Sequence, residues 1–359
     1  MEITISTSYD LSELAADWME LESRADGGFF LSWRWIGSWL RATRATPLLV
    51  KAQDGNRTMA LGLLTPVRRR RHFLSVSQLC LHETGRVECD AVMIEHNNFL
   101  IDRAAPSQLL AEILRALQSV HPAWDEIVLS GISPANLGAL EAAGLKVETD
   151  RLSPDFAVDL SQNWEHTLSA NQRAQLRQSR TFAARSGPLK LEPAAGTAQA
   201  LDFFGKLAGL HTAYWQKRGR PGAFASDFAR GFHRELISSQ AGPAKVELLE
   251  LAAGPEILGY LYNFQYGGRV YNYQSGFSYH QDNRHRPGLI AHAMAITRAK
   301  EDGMRIYDFL AGDAHYKARL GRQMGTLIWC RGQKDRPLLA AERVARKLWR
   351  SIRPGLSAG

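Results

Sequence analysis

Three pieces of sequence decide how this chain is read: Tyr271-Asn-Tyr-Gln-Ser-Gly-Phe277, then Arg286-Pro-Gly-Leu-Ile290, then Tyr307-Asp-Phe-Leu-Ala-Gly-Asp-Ala-His-Tyr316-Lys317. The first alternates aromatic and polar residues, the period of a strand. It closes a meander of strands over 245–252, 256–266 and 269–277, reversed at Ala253-Gly254-Pro255 and Gly267-Gly268. The second puts a proline in the first turn of a helix, where its missing N–H costs nothing, and that helix runs to Gly303. The third predicts a strand over 305–310 and a short helix over 314–320, with a last strand over 326–331.

Upstream, the spacing predicts a strand over 156–160 and one long polar helix over 164–184, stopped by Gly187-Pro188. Two more helices follow, one carrying Leu201 to Trp215 and one starting at the N-cap candidate Ser226. The pattern restarts at Ser153-Pro154-Asp155, which divides the chain into 1–152, 153–335 and a terminal piece, 336–359. The first division alternates strands and helices: an edge strand with Ile3 and Ile5, a helix following Asp10, and an aromatic helix with Trp33, Trp35 and Trp39. A hairpin turning at Asp54-Gly55-Asn56 and a helix from Pro106 come next. This order predicts an α+β fold with a mixed, mainly antiparallel sheet.

A length of 359 residues suits two domains, and 45% hydrophobic with 22% charged residues is ordinary globular composition. Lys and Arg number 44 against 36 Asp and Glu, a net charge of +8 that suits an anionic partner. Spread over the whole chain, with no recognition module, it argues against DNA. Cys80, Cys89 and Cys330 are an odd number with no C-x-x-C spacing, so neither a zinc site nor a disulfide framework is expected. The N-terminus lacks a secretory pattern and no long apolar run occurs, so a cytoplasmic location is expected.

The quoted stretches, with Leu168-Ser-Ala-Asn-Gln-Arg-Ala-Gln-Leu-Arg177 and Arg220-Pro-Gly-Ala-Phe-Ala225, resemble the GNAT-type acyltransferase domain of the CelD-like (cellulose-biosynthesis) family. That family is related to the Fem-type peptidoglycan transferases. The resemblance covers about 155–330 and implies two tandem GNAT-like domains, 1–152 being a degenerate one. It implies acyl-CoA as co-substrate, with its pantetheine arm along the strand of Tyr273, Gln274 and Ser275. Its pyrophosphate would lie at Arg284, Arg286, Pro287, Gly288, Leu289 and Ile290, where a helix N-terminus offers free N–H groups and partial positive charge.

The candidate catalytic residues are Asp308, Asp313, Tyr316 and Lys317, with His211 as a second candidate base. An amine acceptor must lose a proton and the leaving thiolate must gain one, work for a carboxylate or histidine and for a tyrosine respectively. Lys317 would neutralise an anionic acceptor or the oxyanion. The plain alternatives are that Asp308 caps a turn, Tyr316 is a packed aromatic, and His211 is a satisfied core residue. His82, Glu83 and Asp90 fall in a loop that the Fem resemblance makes a wall of the acceptor site. Arg68 to Arg71 read as a solvated hairpin tip, and Arg173, Arg177 and Arg180 share a helix face. Residues 338–353 form a basic amphipathic helix that could rest on an anionic membrane or dock on the protein.

The expected function is therefore acyl transfer from acyl-CoA to an amino or hydroxyl acceptor, such as a glycan or lipid, in polysaccharide, lipid or envelope metabolism. Two other functions stay open: an aminoacyl-tRNA-dependent Fem-type transferase, and a non-catalytic accessory protein of polysaccharide or lipid assembly.

Overall fold

The computed structural model describes residues 1–352 apart from His72, Phe73, Pro122, Gln281 and Asp313, with side chains as far as residue 346. The first half runs β1 (Glu2–Ser6), α1 (Leu11–Arg24), α2 (Trp33–Thr43), β2 (Leu48–Asp54), β3 (Arg57–Arg71), β4 (Leu74–Leu81), α3 (Val87–Asp90), β5 (Leu100–Ile101), α4 (Leu109–Val120), β6 (Glu126–Ile132), α5 (Leu137–Ala142) and β7 (Lys146–Asp159). The second runs α6 (Trp164–Thr167), α7 (Ala170–Ala183), β8 (Leu189–Pro193), α8 (Thr197–Gln216), α9 (Asp227–Ser238), β9 (Lys245–Ala253), β10 (Glu256–Tyr266), β11 (Arg269–Phe277), α10 (Pro287–Glu301), β12 (Ile306–Ala311), α11 (His315–Leu320), β13 (Arg322–Gln333) and α12 (Pro337–Ile352).

Local chemistry explains the helix ends. Asp10 accepts from the N–H groups of Ser12 (2.8 Å) and Glu13 (3.0 Å), capping α1. The single polar helix expected over 164–184 is two helices, α6 and α7. Ser169 starts α7 in a reciprocal capping box with Gln172, which stops the earlier turn at Leu168.

The sheet is continuous and mostly antiparallel, ordered β1-β2-β3-β4-β6-β13-β7-β12-β11-β10-β9-β8, with β5 beside β3. Its two halves repeat one plan. In the first, β3 and β4 are antiparallel, α4 intervenes, and β6 lies parallel to β4. In the second, β10 and β11 are antiparallel, α10 intervenes, and β12 lies parallel to β11. The closing strands are exchanged: β13, last in the chain, pairs with β6, and β7 pairs with both β13 and β12. Ser153-Pro154-Asp155 lie inside β7, so the restart in sequence pattern falls within one unbroken strand.

One core spans both halves on one sheet face, joining Trp18, Phe30 and Trp35 of the first to Phe232, Tyr262 and Tyr273 of the second. Phe29 stacks flat on Phe264 with ring centroids 4.1 Å apart. Arg34 of α2 is buried and donates to the carbonyls of Leu236 (3.2 Å) and Ile237 (3.3 Å) in the last turn of α9 and of Ala244 (3.0 Å) just before β9. The first two are acceptors that a helix C-terminus leaves unsatisfied. The opposite face holds two separate cores, one under α4 and α5, the other under α7 and α10.

Arg71 is not at a solvated tip. It ends β3 between Glu126 (2.8 Å) and Glu342 of α12 (2.6 Å). On the same helix Arg346 lies 3.5 Å from Glu148 and Arg343 3.6 Å from Asp335, so these two basic residues face carboxylates of the protein. The side chains of Lys347, Arg350 and residues 351–353, part of the expected amphipathic face, lie outside the described set. No described helix is long and apolar enough to cross a membrane.

Candidate active site

Strands β11 and β12 pair in parallel only over Arg269–Ile306, Val270–Tyr307 and Tyr271–Asp308. Beyond that point they part, and β11 continues through a bulge at Tyr273. A cavity of about 520 Å3 opens beside the parted strands. Its walls include Ser275, Arg286, Gly288, Leu289, His292 and Tyr316.

The residues expected to bind a donor divide around this cavity. Ser275, Arg286, Gly288 and Leu289 line it, with Pro287 in the first turn of α10 behind them. The first hydrogen bonds of that helix, from the N–H groups of Leu289 and Ile290, both go to the carbonyl of Arg286. Tyr273 is turned to the other face, where its hydroxyl donates to the Val92 carbonyl at 2.7 Å. Gln274 follows the bulge and pairs with Tyr262. Ile290 is buried in the core beneath, and Arg284 folds outward onto Asp282 at 2.6 Å, so neither reaches the cavity. Gly288 packs closely: a Cβ there would stand 3.1 Å from the Phe277 ring, which would have to give by a few tenths of an ångström.

Tyr316 stacks on His292 with ring centroids 5.5 Å apart and keeps 40% of its surface exposed. Desolvation within the cavity pushes its hydroxyl above the ordinary tyrosine range, with Tyr279 and Tyr214 adding to the effect, so it keeps its proton. His292 is buried beside it, and desolvation lowers its imidazole to about 3, leaving it neutral. His211 has both ring nitrogens engaged: Nδ1 is 3.0 Å from the Ser275 carbonyl and Nε2 accepts from the Ala223 N–H at 3.2 Å. It ties α8 to β11 and offers no free lone pair. Lys317 is buried below the corner that ends β12 and donates to the carbonyls of Leu310 (3.1 Å) and Ala311 (2.6 Å). Asp313 lies outside the described residues.

Asp308 faces away from this cavity. It is fully buried, bound to Arg269 at 2.6 Å, and its other oxygen accepts from the Leu310 N–H at 2.7 Å. Leu310 has φ +62°, a conformation costly for a branched residue, and marks where β12 leaves its pairing. His96 approaches Asp308 to 3.5 Å and Asp155 to 4.0 Å through Nε2. Burial opposes the charge on Asp308, but His96 and Arg269 hold its carboxyl down at about 2. Burial and the Asp308 charge push Asp155 up to about 7. For His96, burial disfavours the cation, yet Asp308, Asp155 and Glu95 outweigh it and raise the imidazole. The three groups offer ligand atoms within 4.8 Å of one another, a spacing open to a metal ion. Asp308, however, already has a guanidinium on one oxygen and an N–H on the other.

Of this cluster His96 lines a second, larger cleft of about 1030 Å3 between the two halves, with Arg269 and Tyr271 beside it. The loop before β5 supplies His96 and also Glu95, which accepts from the Ala311 N–H at 2.7 Å. Of the loop residues marked by sequence, His82 is buried against Asn97 (2.8 Å), Glu83 accepts from Ser130 (2.7 Å), and Asp90 accepts from Thr84 (2.8 Å). They support the loop, and Glu95 and His96 are what it delivers.

In sequence, residues 170–318 match the family described as acetyltransferase (GNAT) domain. Those residues carry a GNAT acetyltransferase domain. No curated protein matches the chain. Among solved structures, FemX is similar at 12% identity, covering 95% of this chain and 99% of that one, with a TM-score of 0.58. The C-terminal domain of an Agrobacterium fabrum protein described as a lysylphosphatidylglycerol synthetase gives 13%, 93%, 95% and 0.57. L-PGS from Bacillus licheniformis gives 13%, 94%, 96% and 0.55. At these identities the likeness is one of fold.

The GNAT domain thus contains Asp308, Arg269, Tyr271, Tyr316 and both walls of the parted strands, while His96 and Asp155 come from outside it. Sequence reasoning missed His96, Asp155 and Arg269. A histidine in a loop and an aspartate at a presumed boundary carry no spacing signal, because their partners are far away in the chain.

Proposed function

We propose that the chain moves an acyl group from acyl-CoA to an amino or hydroxyl acceptor by direct attack, in surface polysaccharide, lipid or envelope metabolism. The observation that carries this reading is the parting of β11 from β12 after Tyr271 and Asp308, with the N-terminus of α10 and Tyr316 at the resulting cavity. Unpaired backbone of β11 is free to bond an amide-bearing arm, as an open sheet edge is. The partial positive charge at the start of α10, with Arg286 beside it, suits a pyrophosphate. Tyr316 holds the proton that the departing thiolate needs. Cys80, Cys89 and Cys330 are all buried, and burial raises each thiol, which favours direct attack over a covalent cysteine intermediate.

The acceptor would occupy the larger cleft. Its outer wall carries Lys300 and Arg305, which donate to the carbonyls of Gln162 (2.9 Å) and Gly267 (2.8 Å). Neither has a carboxylate partner among the described residues, which suits an acceptor bearing an anionic group.

Isothermal titration with coenzyme A, acetyl-CoA and a long-chain acyl-CoA tests the donor. The expected result is binding that Arg286→Glu weakens at least tenfold. Absence of binding to all three would overturn the acyl-CoA reading and turn attention to aminoacyl-tRNA or to a non-catalytic role.

A further inference from the structure

We propose that His96, held by Asp308, is the base that takes the proton of the acceptor, which comes in through the cleft between the two halves. The inference rests on the acyltransferase reading and assigns its acceptor side. His96 is one residue of a loop from the first half, yet its Nε2 points at carboxylates on two strands of the sheet, Asp308 of β12 at 3.5 Å and Asp155 of β7 at 4.0 Å. Nε2 is buried and forms no hydrogen bond of good geometry, and neither does Oδ1 of Asp155, which is only 6% exposed. Buried polar atoms are rarely left so, and where they are, the site is a candidate for function. The remainder of the ring lines the 1030 Å3 cleft, with 22% of the side chain exposed, and Nδ1 has no partner among the described residues.

The backbone supports the same assignment. Met93 and His96 have φ of +50° and +49°, a region that side chains other than glycine adopt at a cost. Such conformations persist only where surroundings over-determine them, and they cluster at functional sites. Here the surroundings are explicit: Asn97 N–H donates to the Gly131 carbonyl at 3.1 Å, and Glu95 accepts from Ala311 at 2.7 Å. The loop is thereby pinned on both sides of His96, to the sheet of the first half and to the corner ending β12.

With Nε2 carrying its proton toward Asp308, the neutral ring presents the Nδ1 lone pair to the cleft, the arrangement that a carboxylate imposes on a catalytic imidazole. Asp308 is a positioning residue, itself oriented by Arg269 and the Leu310 N–H. In the step, the acceptor nitrogen or oxygen bonds to the thioester carbonyl carbon while its proton passes to Nδ1. The carbonyl then re-forms, the C–S bond breaks, and the thiolate takes the proton of Tyr316. Both side chains return to their starting states by exchange with solvent. The charged and titratable groups facing His96 are Asp308 on β12, Asp155 on β7, Glu95 on its own loop, and Arg269 and Tyr271 on β11.

Two surrogate acceptors test the proposal without the natural one. Water must lose a proton during attack, whereas hydroxylamine is already an unprotonated nucleophile at neutral pH. Coenzyme A release from the full-length chain is followed with each, using the acyl-CoA that binds best by titration. His96→Gln should slow hydrolysis by about 10²-fold or more, the usual range for a lost base, while leaving donor affinity and hydroxylamine transfer near wild type. Asp308→Asn should move the rising limb of the hydrolysis pH profile to lower pH, because it removes the anion that favours the protonated ring. Hydrolysis by His96→Gln at the wild-type rate would overturn the assignment, as would an equal fall of both reactions. Loss of donor binding in both His96→Gln and His96→Asn would make the residue structural and overturn it too. If the wild-type protein binds no acyl-CoA, the donor reading itself fails, a result separate from these.

Discussion

Tyr271 and Asp308 are the last residues at which β11 and β12 are joined, and the two cavities described above lie on either side of that pair. Tyr271 lines the cleft between the halves, and Asp308 lies 3.5 Å from the imidazole of His96, which lines it too. Past them the strands open toward Tyr316 and the start of α10.

Replacement of Tyr316 by phenylalanine removes the proposed proton donor and keeps the ring that stacks on His292. The expected outcome is a fall in kcat of about 10²–10⁴-fold with the acyl-CoA dissociation constant unchanged. Hydroxylamine as acceptor makes the measurement specific, because it attacks as the free amine, gives its proton to solvent afterwards and still expels a thiolate.

Gly276 lies where α8 crosses β11, and a Cβ there would stand 2.5 Å from the Leu207 carbonyl. Gly276→Ala therefore forces helix and strand apart, at a cost of about 1–3 kcal/mol by analogy with overpacked cores. Denaturant titration should show the lower midpoint, and calorimetric titration a weakened donor, since Ser275 lines the cavity next door.

Phe264→Ala deletes the ring that stacks on Phe29 across the two halves. Loss of a buried aromatic costs about 3–5 kcal/mol. Because the sheet and the shared core are continuous, fluorescence and circular dichroism should report one unfolding transition, shifted as a whole. Two separate transitions would mean that the halves unfold independently.

Stability should depend on pH through the cluster beneath the cleft. Asp155 is raised from 3.8 to about 7, so the stability it contributes is full below pH 3.8 and is lost as pH rises through 7. His96 is raised as well and acts in the same direction. Asp308 acts oppositely, its contribution being lost only as pH falls toward 2. Thermal unfolding of Asp155→Asn between pH 4 and 8 should therefore show a flatter decline than the wild-type protein.

Much of the second half was legible because its signals are local. The strand limits of the meander, the proline opening α10 and the cap at Ser226 depend on neighbours within a few residues. Four of the residues marked for the donor line one cavity for the same reason, since a strand and the next helix place them there directly. The polar stretch over 164–184 divides at Ser169, whose capping box with Gln172 is a local signal that its uniformly polar composition masks. Arg71 was misjudged because its partners, Glu126 and Glu342, lie 55 and 271 residues away.

By itself the sequence determined the element order, the reversals and the succession from β11 through α10 to β12, all consequences of backbone preferences and short-range periodicity. Only the tertiary structure decided that β7 and β13 exchange places, that a single core joins the halves, and that His96, Asp155, Arg269 and Asp308 meet. Those outcomes depend on which buried faces and which opposite charges find each other across stretches of chain far longer than one element. Burial then sets the protonation of the cluster, and burial belongs to the packed molecule.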